Sequence, residues 1–343
     1  MSLRHDSFYD TYHGHEVDHL KIVHHELRRS HRSVIFLAGD SSLDNKYWLE
    51  ERSPAVNGYE RILSPAQMKQ DICFWLNKAA VDRGMHHLCC LNTAIEATAL
   101  SSRACGKLLE QDHFIRDHIT EDDYLVVSIG GNDIALMPVL CTILNLLALS
   151  WCTPVECLKR CACACPVNSH TDLGCLDCGL LSCLLATPCG WPPGVGYFVD
   201  LFGHKVQNYV CKLVGERKPK KVIVCMIYYL DQVGRDSWAD CALRGMGYDC
   251  CPWRLQAAIS TIFTLATQKI QIPGTEVVGF PLFNVLDGRT SEDYVQRVEP
   301  SAQGGRKMAS ALMEVILTDD HLGSASCGES GSESAPHMMA MGC

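Results

Sequence analysis

Five apolar runs of strand length, separated by stretches with helical spacing, constrain this chain more than any other feature. They are Ser33–Ala38 (SVIFLA), His87–Leu91 (HLCCL), Tyr124–Ile129 (YLVVSI), Lys221–Tyr228 (KVIVCMIY) and Glu276–Phe280 (EVVGF). A strand with one wet face alternates apolar and polar residues. These runs barely alternate, so each expects cover on both faces, as in a parallel sheet. Helical spacing over Asp200–Gly215, Pro252–Ile270 and Ser301–Leu317 supplies that cover, as does a helix expected to start at Ser64–Pro65 and run to about Val81. Strand and helix in alternation over 343 residues predict an α/β fold, a three-layer sandwich with a central parallel sheet of about five strands. Such sheets bind ligands beyond the carboxyl ends of their strands.

Three segments fall outside the alternation. Residues 1–30 are polar and hold His13, His15, His19, His24 and His25; a solvated arm or amphipathic helix is expected rather than a metal site. The domain proper is then 31–320, with a cysteine-rich insertion at about 136–198. Cys157, Cys161, Cys163 and Cys165 crowd together there, and Cys175-x-x-Cys178 has a zinc-like spacing. Without a second such pair, reduced thiols in an apolar segment are the expectation, and no metal or organic cofactor is assigned. The tail, 321–343, is rich in Ser, Gly and Met and is expected to be disordered.

The net charge of -9 argues against nucleic acid as a partner. The densest basic cluster, Arg217, Lys218, Lys220 and Lys221, precedes an apolar run and reads as a helix end and strand entry. The first residues lack an apolar signal core, so the 21 cysteines are expected reduced and the location cytoplasmic. No residue from Ile134 to Val155 is charged. That stretch reads as a buried or lid helix interrupted by Pro138, Thr142, Asn145 and Ser150, although its length also suits a membrane span or a membrane-surface contact. Oligomeric state is left open.

Two strand ends carry candidate chemistry. After the first strand comes Gly39-Asp40-Ser41-Ser42-Leu43-Asp44-Asn45. Glycine permits a sharp turn, and a serine there stands at the sheet edge, where following amides favour negative charge; a plain helix cap reads equally well. After the third strand comes Gly130-Gly131-Asn132-Asp133, whose asparagine amide suits a developing oxyanion, and whose composition also suits a tight turn.

Together, in this order and spacing, the two blocks resemble those of the SGNH (GDSL-type) hydrolases. Asn92-Thr93-Ala94-Ile95-Glu96-Ala97-Thr98, after the second strand, is similar to that family's second block, with Ala97 at the place of its glycine. The resemblance covers roughly residues 33–317 and implies a flavodoxin-like fold. It makes Ser41 the nucleophile, with an oxyanion hole formed by the Ser41 and Ala97 amides and the Asn132 side chain. Asp40 and Asp133 are candidate supports.

The fourth landmark departs from the family. Where Asp-x-x-His-Pro is expected before the last helix, this chain has Gln296-Arg297-Val298-Glu299-Pro300. Glu299 stands at the histidine position and Gln296 at the aspartate position. Three readings follow. Glu299 is an atypical base, its pKa raised by burial and its carboxyl oriented by Gln296 or tuned by Asp293 and Arg297. Or the site binds an ester-like or carbohydrate ligand without turnover. Or a histidine from elsewhere, His170 or His204, reaches Ser41. The leading expectation is a serine-dependent hydrolase or acyltransferase acting on a small acyl ester, lipid or acetylated, with the apolar insertion as a lid. Asp44 and Asn45 are expected to hold the serine loop. Tyr228, Tyr229 and Asp231 are expected at the rim, and Trp238 and Trp253 fit either packing or the pocket.

Overall fold

A computed structural model describes residues 2–30, 32–104, 107–135, 140–165, 187–234 and 236–318. Its centre is a sheet of β1 (Ser33–Gly39), β2 (Leu88–Asn92), β3 (Tyr124–Ser128), β4 (Lys221–Met226) and β5 (Glu276–Pro281). All four neighbouring pairs are parallel, in the order β5-β4-β3-β1-β2. Every residue of β1 to β4 is buried, as the near-continuous apolar runs require. Side chains such as Ile35, Phe36 and Leu37, wholly removed from water, each contribute about 1.5–3 kcal/mol.

The main helices are α1 (Val17–Arg28), α2 (Ile72–Asp82), α3 (Glu110–His118), α4 (Leu140–Leu147), α5 (Val155–Cys161), α6 (Val206–Val214), α7 (Asp240–Gly245), α8 (Pro252–Leu265) and α9 (Ala302–Leu317). α2 packs on α9, while α3 packs on α1 and α6. Helices thus cover both faces of the sheet in three layers, as expected.

Two expectations give way. The first concerns Ser64–Pro65, which lies in extended chain between the short strands Leu63–Ser64 and Gln67–Lys69. The helix begins at Ile72, because Asp71 caps it there: its carboxylate accepts from the Phe74 N–H at 2.7 Å, and the apolar spacing follows directly. The second concerns the N-terminal arm. Residues 3–28 are bound into the core through Leu3, Phe8, Tyr9, Leu20, Val23 and Leu27, all buried. The amphipathic helix exists as α1, and two histidines of the segment, His15 and His24, serve packing. His15 stacks on Phe8 with ring centroids 3.8 Å apart, and His24 meets Phe114 and His118. Their polarity concealed a role that only the tertiary partners reveal.

The basic cluster closes a helix end and opens a strand, as expected: Lys218 Nζ donates to the Gly215 carbonyl at 2.7 Å. No helix among the described residues is long and apolar enough to cross a membrane. The uncharged stretch instead forms α4 and a wider turn through Ala148–Cys152. His170, Cys175, Cys178 and the 321–343 tail lie outside the described residues.

One buried carboxylate ties the N-terminal segment to the sheet. Asp123 accepts from the Val34 N–H at 2.8 Å, from the Thr120 N–H at 2.8 Å, and from the Arg28 guanidinium of α1. Removing one partner of a buried pair costs about 3 kcal/mol, whereas exposed pairs are worth about 1 kcal/mol or less. We therefore expect Asp123→Ala to destabilise the fold by about 3 kcal/mol in denaturant titration. Asp122→Ala, which breaks only the exposed pair with Arg32, should cost under about 1 kcal/mol.

Candidate active site

The sheet order reverses direction between β1 and β3, and the crevice above that switch point is where a parallel α/β sheet holds ligands. β1 ends at Gly39, whose φ is +138°. A Cβ there would come 1.8 Å from the Ser128 carbonyl oxygen, so only glycine lets the two strand ends approach. The buried Arg103 guanidinium takes the Gly39 carbonyl at 3.1 Å and the Tyr209 hydroxyl at 3.0 Å, fixing the end of β1. The next residues turn tightly, the Leu43 and Asp44 amides both donating to the Asp40 carbonyl.

This turn presents Ser41, 7% exposed, to Glu299, 6% exposed. The Ser41 hydroxyl donates to Glu299 Oε1 at 3.0 Å. Glu299 Oε2 is buried and has no hydrogen-bond partner among the described residues. Burial drives the Glu299 pKa well above the ordinary carboxylate range; the Ser41 hydrogen bond opposes this, and the charges of Asp40, Glu96 and Asp44 add to it. Both flanks of Glu299 are clamped. The Asn45 amide donates to the Pro300 carbonyl at 3.0 Å, and the Tyr228 hydroxyl to the Val298 carbonyl at 2.6 Å.

Asp40, Ser41, Asn132 and Glu299 line one cavity of about 410 Å³. Asp40 Oδ1 receives the Ser42 N–H and hydroxyl, at 3.1 and 2.7 Å, while burial raises its pKa. The Ser42 hydroxyl is also 2.6 Å from Ser128 Oγ. Asn132 spends one N–H of its amide on the Thr98 carbonyl at 3.0 Å; a primary amide carries two. Asp133 takes the Leu100 and Ser101 amides at 2.6 and 2.9 Å, capping the short helix that follows the second block.

Ala97 sits at φ +54°, in the left-handed region that favours glycine, which matches the family's choice there. The backbone amides of Ser41 and Ala97 donate to no acceptor among the described residues. Ala97 itself is not part of the cavity wall; its neighbour Thr98 reaches the site by holding Asn132.

Several expected supports do not serve Glu299. Gln296 is exposed, at a left-handed φ of +52°, and offers its carbonyl to the Ser237 hydroxyl. Asp293 binds Lys307 and Gln303 of α9 at 2.7 and 2.9 Å, anchoring the last helix. Arg297 pairs with Asp240 and Asp249 at 2.8 and 3.0 Å. His204 pairs with Asp200, four residues back on its own helical turn, and does not line the cavity. Tyr228 and Trp238 do line it. Tyr229 instead stacks on Phe283, Asp231 holds the Ser291 hydroxyl, and Trp253 is exposed and does not line the cavity.

The sequence reading missed Glu96. It is 1% exposed, neither carboxylate oxygen has a hydrogen-bond partner among the described residues, and its pKa is pushed up to about 7. Burial is the main cause, the Asp44 charge adds, and Lys46 opposes. Asp44 is itself neutralised by the buried Lys46 at 2.8 Å and accepts the Glu96 amide at 3.1 Å. A glutamate inside an otherwise apolar loop was the available signal.

No protein-family model matches the chain, and no curated protein matches it in sequence. Three solved structures show distant likeness. A protein described as a GDSL-like lipase, from Parabacteroides merdae, is 15% identical at TM-score 0.42, over 83% of this chain and 95% of its own. A carbohydrate acetylesterase from Sinorhizobium meliloti is 11% identical at TM-score 0.38, over 84% and 99%. A phospholipase A1 from Streptomyces albidoflavus is 10% identical at TM-score 0.36, over 82% and 99%.

The raised pKa values of Glu299 and Glu96 have a consequence for stability. The folded chain keeps protons on these carboxyls to higher pH than the unfolded chain does. That contribution is full below the unfolded pKa and is lost as pH rises through the folded one. Glu299→Gln, which cannot ionise, should melt at a higher temperature than the parent above neutrality. The gap should close as pH falls toward the ordinary glutamate range. Calorimetric melting curves that stay parallel across pH would sink this assignment.

Proposed function

We propose that the chain is a serine ester hydrolase of the GDSL type, with Ser41 as nucleophile and Glu299 as base. The observation that carries this reading is the 3.0 Å hydrogen bond from Ser41 to a buried carboxyl at the wall of an apolar cavity. A carboxylate in water is too weak a base for a hydroxyl at neutral pH; desolvation strengthens it.

In the proposed reaction the acyl carbonyl lies against Ser41. As Ser41 Oγ attacks the carbonyl carbon, its proton passes to Glu299. The carbonyl oxygen becomes an oxyanion, met by the Ser41 amide and the second N–H of Asn132, which Thr98, next to Ala97, holds in place. Collapse breaks the ester C–O bond, and the leaving alkoxide takes the proton from Glu299. Water then attacks the acyl-enzyme, gives its proton to Glu299, and releases the acid as Oγ recovers a proton. Another alcohol in place of water would give acyl transfer. Asp133 and Asp40 act by position, holding the second-block helix and the Ser41 turn.

A second reading has one observation in its favour. The same burial that strengthens Glu299 as a base also favours its protonated form, which cannot accept a proton. If it stays protonated throughout the working range, the cavity binds an acyl ligand without turnover.

The pH profile separates the two. For the enzyme, kcat/KM on a short acyl ester should rise with pH through the raised Glu299 pKa, because only the ionised carboxyl takes the Ser41 proton. A fluorophosphonate should label the protein and fail to label Ser41→Ala. Glu299→Gln should lower kcat by about 10²–10⁴-fold. Undiminished turnover in Ser41→Ala would end the proposal, and a flat absence of turnover and labelling up to alkaline pH would favour the binding protein.

A further inference from the structure

The helix over the cavity packs Leu146 and Leu149 inward and still shows water an apolar face. Along α4 and its continuation, Thr142, Asn145 and Ser150 point inward and are buried. Ile143, Leu144, Leu147 and Trp151 point outward, with Leu144 57% and Trp151 52% exposed. Positions 143, 147 and 151 recur every four residues, which puts them on one helix face with Leu144 beside them. A surface helix normally turns its polar residues to solvent. Trp238 stands at the cavity wall, and Trp253, 54% exposed, lies on α8, whose next residue, Arg254, donates to the Ser150 carbonyl at 3.0 Å. Ile143 and Leu147 belong both to the exposed face and to the cavity wall, so the patch is continuous with the space above Ser41.

We infer that this face docks on a lipid surface. An exposed apolar patch of this kind marks an interaction site. Two features favour lipid over a protein partner. The patch runs without a break into an apolar cavity, and its tryptophans are the side chains that settle at a membrane–water interface. The charge around it is also complementary to anionic lipid. The bounding helices α5, α7 and α8 carry Lys159, Arg160, Arg244 and Arg254 against Glu156 and Asp240, in a chain of net charge -9. Asp240 is already engaged by Arg297, as is Asp249, which also meets Arg244 at 3.5 Å in an exposed pair. Basic residues beside an apolar face strengthen binding to acidic lipid. Docking so would set the cavity mouth against the bilayer, where an acyl ester could enter without crossing water. That last step rests on the proposed hydrolase; the docking itself does not.

The test is flotation with vesicles of phosphatidylcholine, alone and with added phosphatidylserine, read beside hydrolysis of a short soluble ester. Wild type and Ser41→Ala should both float, more strongly with phosphatidylserine and less so at high salt. The double variant Leu144→Asp, Trp253→Asp changes two exposed side chains outside the cavity wall. It should melt at the wild-type temperature, keep any soluble-ester turnover, and lose vesicle binding by about tenfold or more. Flotation by Ser41→Ala in the absence of any hydrolysis would uphold docking while removing the hydrolase. Failure of wild type to float, or equal flotation by the double variant, would overturn the inference. So would a sedimentation result in which wild type is a dimer and the double variant a monomer, since the face would then belong to a second copy.

Discussion

A carboxyl group withdrawn from water, with a hydroxyl as its one hydrogen-bond partner, is the constraint on which the rest of this site depends. Ionising such a group is costly because nothing nearby replaces its hydration. The group therefore holds its proton to unusually high pH, and once emptied it takes a proton back readily. Glu299 meets these conditions: one oxygen receives Ser41 and the other receives nothing from the described residues. The surroundings must hold it without solvating it, and they do so through the backbone. Asn45 grips Pro300 and Tyr228 grips Val298, so the carboxyl is positioned by bonds to its neighbours' carbonyls and not by donors to itself.

Other carboxyls share the region, and each is accommodated differently. Asp44 is neutralised outright by a buried lysine. Asp40 keeps one oxygen on the Ser42 amide and hydroxyl. Glu96 has neither device, which is why its pKa moves to about 7.

The fold was legible in the chain because a parallel sheet buried on both faces writes itself as apolar runs, and β1 to β5 fall within two residues of those runs at either end. Ser41, Asn132 and Glu299 were legible because strand-end loops keep short motifs at recognisable spacing, and one cavity gathers them. What failed depended on direction and not on residue type. Gln296 occupies the right place in sequence, yet it is exposed, at a left-handed φ. Residues 3–28 look polar on average, although the few apolar side chains among them are the ones that pack. Asp71 and Ser64 are both capping residues, and only the apolar run directly after Asp71 decides between them.

A glutamate in the place of a histidine also changes the geometry of proton transfer. An imidazole accepts through one nitrogen while a third group holds the other, so the triad needs an aspartate. A carboxylate has two equivalent oxygens and needs no tautomer fixed. The oxygen that takes the Ser41 proton, Oε1, can return the same proton to the leaving group. On this account the missing aspartate is a consequence of the missing histidine. With no tautomer to fix, the chain has no use for an orienting side chain at Gln296, and its backbone is at liberty to turn away.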